Sequence, residues 1–568
     1  MHSCGRFVQY AYLCSRFMKN LFKEMKKVLA TTAVFMMTTV SAMAGGILTN
    51  TNQSVSFLKN PARDAAIGLD GVYSNPAGVA FMPEGFHVAF NWQYAHQTRT
   101  ITSTNPVYAM GKKNNGSSVK EFEGVADAPF LPSLQAAYNK GDWSIQFNFS
   151  VPGGGGACEF ADGLGSFESV VGNIASRFMT LDQTATQLNG LTTALTPLYT
   201  MPGMPDMTAP AAISNTGVTG YDMTSYMEGR QYYFGFQLGA AYKIKENLSV
   251  YGGLRLLYGS ATYKARINNI MVNTGGAYED FASFLPKVPV QMQECVTSAQ
   301  QNLNNIGMIE ASPAYAVLPA ETQAQLAAAK AALTQGLTSL DQSKGEMAKL
   351  AKYTDGVNLL SNQSSLGIAP VIGVDWKMSD QFNFAAKYEF KTQIRMKNES
   401  TVFEASEIAA VNKFRDEEKV NEDIPAMLSV GAQWKPIKEV SLNLGWHHFF
   451  DKDCSWYNNS QDLLRHDTNE FLAGAEWDVT DRLNVSCGGQ LTRYGLSDEY
   501  MNDMSFVVNS YSLGLGFSYK VKDNITVSAA YFQTNYGNYD RENYPTVGVS
   551  DSFTRTNRVL GVGCQLDL

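Results

Sequence analysis

Three basic residues, Arg255, Lys387 and Lys391, stand at polar positions of segments in which polar and apolar residues alternate. A guanidinium or ammonium group held away from water binds a carboxylate through charge-assisted hydrogen bonds. The three residues are therefore candidates for binding a ligand in an interior lined by these segments. An alternative stays open for each of them, namely pairing with a nearby acid such as Glu389 or with another segment of the chain.

The stretch 149–156 combines a proline with a run of glycines at the end of an alternating segment. Pro152 has no N–H to donate to a β-ladder, and Gly153 and Gly154 weaken strand pairing and permit bulges. In a wall of paired strands, these three residues are candidates for a lateral gate. The plain alternative is that they end a strand and begin a loop.

Motifs typical of enzymes and cofactor sites are missing from the sequence. The glycines at 153–156 lack the Lys-Ser/Thr of a phosphate-binding loop. The adjacent histidines His447 and His448 would face opposite sides of a strand, and no G-x-S-x-G stands on a strand-to-helix turn. We therefore expect no enzymatic activity, no cofactor and no metal site. A net charge of −8 argues against a nucleic-acid partner.

A repeated unit of strand, tight turn and strand organises the chain. In one copy, Trp376 is followed four residues later by Asp380 and six residues later by Phe382, which begins a new alternating strand. Related units occupy 240–253, 432–446, 475–489 and 517–531. Alternation with a period of two predicts antiparallel strands with one apolar and one polar face.

The placement of tryptophan favours a barrel in a membrane over a soluble β-sandwich, which would show the same alternation. The tryptophans at the short turns match an interfacial aromatic girdle; they are Trp143, Trp376, Trp434 and Trp477. The sequence therefore predicts an all-β transmembrane β-barrel of about fourteen antiparallel strands. Its second strand is expected over 131–139 and its twelfth over 504–521.

The N-terminal region predicts export and a plug. Residues 1–44 are expected to be a signal peptide with an over-extended start, because Lys26 and Lys27 precede an uncharged stretch and an A-x-A site ends at Ala44. Residues 45–85 are rich in small side chains and lack clean alternation, so we expect them to form a hatch inside the barrel. The barrel itself is expected over 86–568.

Two insertions interrupt the strands on the side of the long loops, at about 154–228 and 271–364. Apolar residues recur at helical spacing in both, for example Phe167, Ile174 and Phe178 in the first. In the second, a long amphipathic helix is predicted after Pro319. The apolar stripes either pack on each other or leave an apolar groove at the mouth of the barrel, and both can hold at once.

The hatch segment resembles a known family. Ala65-Ala66-Ile67-Gly68 and Gly71–Gly78, with Asn75-Pro76-Ala77 inside it, are similar to the N-terminal hatch of the FadL-type outer-membrane transport proteins, the long-chain fatty acid and toluene channels. The resemblance implies a fourteen-stranded barrel, helical extracellular loops and a lateral opening at a kink in the third strand, here at Pro152. It also implies that Asn75, Pro76 and Ala77 form the hatch motif.

These observations predict a monomeric channel of the bacterial outer membrane that takes up hydrophobic small molecules passively, such as fatty acids or aromatic hydrocarbons. Its expected partners are this ligand, outer-membrane lipid and lipopolysaccharide, and the barrel assembly machinery, which would recognise the C-terminal strand ending in Leu568. A surface receptor or adhesin that uses the enlarged loops is the alternative. A hemin-binding protein is a further one, although the six histidines are sparse.

Overall fold

The structure, a computed structural model, describes residues 46–350, 356–404 and 411–568. The predicted signal peptide therefore lies outside the described residues. Within them, eighteen strands join into one antiparallel sheet. In chain order the strands are β1 Gly85–Thr104, β2 Val119–Lys140, β3 Trp143–Phe160, β4 Val218–Lys245, β5 Leu248–Thr274, β6 Ala277–Asp280, β7 Val357–Trp376, β8 Phe382–Glu389, β9 Arg395–Ser400, β10 Lys419–Asn421, β11 Met427–Ile437, β12 Val440–Phe449, β13 Thr468–Asp478, β14 Leu483–Arg493, β15 Ser510–Lys522, β16 Ile525–Tyr536, β17 Tyr539–Glu542 and β18 Ser550–Asp567.

The sheet closes on itself, because β1 pairs with β2 on one side and with β18 on the other. β8 and β9 follow one another along a single barrel strand, as do β10 with β11 and β16 with β17, while β6 only extends the end of β5. Counted in this way, the described residues form the predicted barrel of fourteen antiparallel strands. At the last residue, the backbone of Leu568 exchanges two hydrogen bonds of 2.8 Å with Phe86.

The polarity of the barrel is that of a membrane protein. Along β1 the inward positions include His87, Asn91 and Gln93, all buried, whereas the outward positions include Phe86 and Phe90. Outward leucines elsewhere are largely exposed, such as Leu238 and Leu444 at 62%. An apolar outer surface around a polar interior is stable only in lipid. The soluble sandwich is thereby excluded.

The four turn tryptophans form the predicted girdle. Trp143, Trp376, Trp434 and Trp477 lie outside the barrel at its short-turn end, each about half exposed. Trp143 contacts Tyr242 on the neighbouring strand, with ring centroids 4.7 Å apart. Amphipathic rings of this kind lie at the level of the lipid headgroups.

Helices fill the hatch and the long loops. The described residues contain six α-helices: α1 Val55–Lys59, α2 Gly71–Ser74, α3 Gly165–Tyr199, α4 Phe281–Phe284, α5 Lys287–Ala311 and α6 Ala320–Leu350. None of these helices is long and apolar enough to cross a membrane. The apolar stripe of the first insertion packs on the second insertion, since the ring centroid of Phe178 lies 6.1 Å from that of Phe281 and 5.1 Å from that of Phe284.

Some boundaries differ from those predicted. β2 begins at Val119 because it continues beyond the membrane, where the outward Glu121, Glu123 and Asp127 no longer mark a lipid-facing strand. β15 begins only at Ser510, because the apolar residues Met504, Phe506 and Val507 instead pack into the core at the mouth. α5 was not predicted, since polar Gln and Asn side chains interrupt its apolar stripe.

The two ends of the barrel are expected to face opposite compartments. Lys330 is exposed on α6, and Asp380 is fully exposed at a short turn. With Cys487 and Cys564 replaced by serine, a membrane-impermeant maleimide should label K330C on intact cells. D380C should react only after the outer membrane is permeabilised. Labelling of D380C alone on intact cells would reverse the orientation.

Candidate functional site

The hatch lies inside the barrel, where nearly every residue from 46 to 80 is buried. Ser54 begins α1, since its hydroxyl accepts a hydrogen bond of 3.1 Å from the Phe57 N–H, as an N-cap does. Val55, Leu58 and the wall residue Phe532 belong to one apolar cluster. The hatch thus has a small core of its own that is completed by the wall.

Glycines on the wall let the hatch approach the sheet closely. A Cβ added to Gly445, Gly474 or Gly514 would overlap the hatch atoms of Asp64, Asn60 or Leu58, respectively. In the register of the sheet Gly474 lies opposite Gly488, and Gly488 lies opposite Gly514. These glycines form a track along the inner face of β12 to β15. A side chain at these positions would keep the hatch from lying so close to the wall.

Charged groups fix the hatch to this part of the wall. The imidazole of His447 lies between two carboxylates, with Nε2 2.8 Å from Asp64 of the hatch and Nδ1 3.0 Å from Glu470 of the wall. Arg63 binds Asp70 at 2.8 Å within the hatch and also contacts Glu476 of the wall. Because these groups are buried, each charge requires its partner.

The motif Asn75-Pro76-Ala77 contacts the wall near the short-turn end through all three residues. Asn75 Nδ2 donates to Asp375 at 2.6 Å. The carbonyl of Pro76 accepts from Gln146 at 2.7 Å, and that of Ala77 accepts from Ser249 at 2.6 Å.

Gly78 follows the motif for a steric reason. Its missing Cβ would lie 2.8 Å from Asp375 Oδ2 and would overlap the amide of Asn75. Asp375 was not predicted, although a carboxylate in the apolar run Val371–Trp376 is a signal that sequence reasoning can use.

The structure places two of the three predicted lumen cations together. Arg255 and Lys387 are both buried and both bind Glu389, Lys387 at 2.7 Å. Lys387 also donates to the backbone carbonyl of Tyr73 in the hatch at 2.8 Å, and the Tyr73 ring lies 5.0 Å from the guanidinium.

Lys391 lies apart from this cluster, in the loop beyond β8, and donates to the Asp453 carbonyl at 2.7 Å. Arg255 and Lys387 make the contacts that the sequence left open as an alternative to ligand binding, namely pairing with an acid and with the hatch. The ligand-binding role of all three residues stays a prediction.

The wall is interrupted between β2 and β3. Regular pairing ends at Asp127 with Ala157 and resumes only at Leu134 with Phe149. The pairing of β3 with β4 is also irregular on both sides of Gly153 and Gly154. Gly154 and Gly156 have φ of +66° and +118°, values that side chains disfavour.

The first hatch residues cover this interruption from the inside. Asn50 N–H donates to the Pro152 carbonyl at 2.8 Å, and the Gln53 side chain bonds to both the N–H and the carbonyl of Val151, at 3.0 and 2.9 Å. Thr49 forms a single antiparallel bridge with Gly153. The hatch therefore satisfies backbone groups that β2 leaves unpaired.

A helical cap lies over the lumen at the mouth. Tyr199 of α3 donates to Asn302 of α5 at 3.0 Å, and one apolar cluster joins both helices to the hatch residues Ile47 and Leu48. Asp503 accepts from the Ser166 N–H at 2.7 Å at the start of α3. Burial raises the pKa of Asp503 to about 6, and this hydrogen bond opposes the rise.

The mouth also holds a polar cavity of about 160 Å³. Its cations already contact acids, with Lys120 Nζ 2.5 Å from Glu168 and Lys112 Nζ 3.3 Å from Asp222. An apolar groove for capture stays a prediction. No group of three His, Cys, Asp or Glu side chains among the described residues is placed to hold a metal ion.

The barrel resembles solved membrane channels. A FadL homologue of Pseudomonas aeruginosa matches 92% of this chain over 100% of its own, with a TM-score of 0.50 and 11% identity. The chain has the FadL fold. The toluene transporter TodX of Pseudomonas putida covers 88% of this FadL-like chain and 94% of its own, with a TM-score of 0.47 and 10% identity. The toluene transporter TbuX of Ralstonia pickettii covers 91% of this chain and 98% of its own, with a TM-score of 0.45 and 12% identity.

The sequence comparisons found nothing, since no family model and no curated protein matches this chain. Identity near 11% means that the likeness to the FadL homologue lies in the fold.

The hatch motif predicts a measurable effect on leakage. N75A removes a donor to Asp375, which keeps its bond of 2.9 Å from Asn383 but loses the tie to the hatch. Loss of one partner of a buried charged group costs about 1–3 kcal/mol. In planar bilayers we expect higher conductance than wild type, with near-normal barrel assembly because the ladder is untouched.

The neighbouring variant S74A is the control, because Ser74 Oγ donates only within its own helix, to the Asp70 carbonyl at 3.2 Å. N75A and S74A of equal, wild-type conductance would show that the motif does not hold the hatch closed.

Proposed function

We propose that this protein is an outer-membrane channel, not an enzyme, that takes up hydrophobic small molecules by passive diffusion. The ligand enters at the mouth, is held in the lumen above the hatch and leaves sideways into the membrane between β2 and β3. The observation that carries this proposal is the interruption of the β2–β3 ladder at a point where the first hatch residues bond to the wall.

A sideways exit follows from the energetics of an apolar ligand. Apolar surface kept out of water is worth about 25 cal/mol per Å², so a ligand that steps directly into lipid avoids the cost of a wet opening at the short-turn end. A continuous ladder offers no passage, because every backbone group in lipid must be paired. Here the pairing between Asp127 and Leu134 of β2 and the facing part of β3 is already absent.

Opening then requires the hatch segment 46–53 to leave the wall. The hydrogen bonds of Asn50 and Gln53 with Val151 and Pro152 would be broken. So would those of Asn52 with Gln93 on β1 and of the Gln53 carbonyl with Ser133 on β2. Each such bond contributes about 1 kcal/mol net, an amount that thermal motion or ligand binding can supply. The rest of the hatch, fixed on the glycine track and by Arg63 and His447, would stay in place.

The lipid side of the interruption is lined with apolar rings. Phe130 on β2 is 62% exposed. Phe149 stacks on Phe234 of β4 at 6.4 Å, and Phe234 stacks on Tyr232 at 5.7 Å. A ligand that emerges here meets aromatic surface instead of polar backbone. The family resemblance of the hatch motif likewise implies fatty acids or aromatic hydrocarbons as the ligand class.

A disulfide between the hatch and the bent strand tests this exit. Asn50 and Pro152 are joined by a backbone hydrogen bond, and hydrogen-bonded antiparallel residues have Cα atoms about 5.5 Å apart, within disulfide range. With Cys487 and Cys564 replaced by serine, oxidised N50C/P152C should take up labelled dodecanoate or toluene only at the rate of cells lacking the protein. Reduction should restore uptake.

A matched pair in the intact part of the ladder is the control. Ala136 lies opposite Phe147, and A136C/F147C should transport equally well oxidised and reduced. Full uptake through a verified N50C/P152C crosslink would contradict the lateral exit. No uptake by the wild type would favour the alternative, a surface receptor that uses the helical cap.

A further inference from the structure

Three basic side chains lie together on the outer face of the barrel. Arg395 and Lys397 belong to β9, and Lys419 of β10 lies directly opposite Lys397 in the register of the sheet. The residues that alternate with them, Met396 and Val420, face inward and are fully buried. Successive side chains of a strand point to opposite faces, so the three cations point outward. We call Arg395, Lys397 and Lys419 the basic patch.

The basic patch begins where the apolar outer surface ends. Lys397 lies opposite Ser364 of β7. Two residues nearer the short turns, Leu366 is 67% exposed and lies opposite Tyr258 of β5, which is 41% exposed. The patch is therefore at the edge of the apolar band on the side of the long loops. In a membrane, this edge lies at the level of the lipid headgroups.

Like charges meet in the basic patch. Residues directly opposite each other on antiparallel strands have close side chains, and two like charges there are unfavourable. Lys397 and Lys419 form such a pair. Lys397 Nζ lies 2.7 Å from the carboxylate of Glu417, but both side chains are largely exposed, and such pairs contribute little. An anion between the two strands would offset the repulsion.

The acids of this region lie farther from the lipid than the cations do. Glu399 lies opposite Asn362, two residues beyond Ser364 and away from the apolar band. The Glu417 N–H donates to the Asn398 carbonyl at 3.1 Å, so this acid is also beyond Lys397. An anionic group at the surface of the hydrocarbon layer would thus meet the cations first.

The sign of the outward charges differs around the barrel. Beyond the apolar band, β2 and β3 carry exposed acids on their outer faces: Glu121, Glu123, Asp127 and Glu159. The outer face of β5 instead carries Lys264 and Arg266 near the basic patch, with Lys264 paired to Glu228 of β4 at 2.8 Å. Positive charge is therefore concentrated on one side of the barrel, several strands away from the interrupted ladder.

We infer that the basic patch binds a phosphate group of lipopolysaccharide, the phosphorylated glycolipid of the outer leaflet. The planar fork of Arg395 suits two phosphate oxygens, and the two lysines add charge. Asn421, opposite Arg395, and Ser364, opposite Lys397, offer neutral donors beside them. The acyl chains would then lie on the apolar surface that contains Leu366 and Tyr258.

This inference goes beyond the proposed function, because it concerns the outer face of the barrel and not the path of the transported molecule. It rests only on the outer-membrane location and on the orientation in which the long loops face outward. Labelling of D380C alone on intact cells would place the patch in the inner leaflet and overturn the inference.

Binding of bisphosphorylated lipid A to the purified protein in mild detergent tests the inference. For R395Q/K397Q/K419Q, the Kd should rise about tenfold or more, the scale of lost charge-assisted contacts. Lipid A whose phosphates have been removed should bind this variant and the wild type with Kd values within about twofold of each other. That probe also shows that the variant keeps a folded outer surface, since it shares the acyl chains.

The matched control is K438Q/K520Q/K522Q, which removes the same charge from three exposed lysines at the short-turn end. It should bind bisphosphorylated lipid A as the wild type does. Unchanged binding by R395Q/K397Q/K419Q, or an equal loss in the control, would overturn the inference.

Two further probes distinguish the source of the phosphate. Excess inorganic phosphate should not displace lipid A, and phosphatidylglycerol should bind more weakly than lipid A does. Full displacement would assign the patch to free phosphate, and equally tight phosphatidylglycerol would assign it to phospholipid; either result would overturn the inference. A failure of the uptake experiments would leave it standing, because lipid A binding is measured without transport.

Discussion

The closed ladder of backbone hydrogen bonds is the constraint on which the rest of this structure depends. In lipid each backbone group must be paired, so β1 must meet β18 and the sheet must enclose a lumen. An enclosed lumen of fourteen strands is too wide for wall side chains alone to fill. The hatch occupies it, and the one stretch that β2 and β3 leave unpaired lies where the hatch supplies hydrogen bonds.

The hatch is held unevenly, and this difference gives the proposed gate its physical basis. Residues 55–81 lie on glycines of the wall and carry buried ion pairs such as Arg63 with Glu476. Segment 46–53 is held by hydrogen bonds to the bent strand and to side chains of β1 and β2. Removing one partner of a buried ion pair costs several kcal/mol, whereas losing a single hydrogen bond costs much less. The weaker attachment coincides with the interruption of the wall.

Buried charges in the lumen are paired within the protein. Arg63, His447, Arg255 and Lys387 each meet a carboxylate of the protein, and these contacts join hatch to wall or strand to strand. This pairing holds the fold together.

The sequence by itself determined those features of the structure that depend on local patterns of residues. Alternation with a period of two predicted the strands, the polar turns and the Trp376-type girdle, and Asn75-Pro76-Ala77 with its resemblance predicted the hatch and the barrel. Only the tertiary structure decided which distant residues meet: Asn75 with Asp375, Arg255 with Glu389, Arg99 with Arg555. Periodicity is a property of neighbouring residues, whereas these pairs depend on the register and closure of strands hundreds of residues apart. No local pattern contains that information.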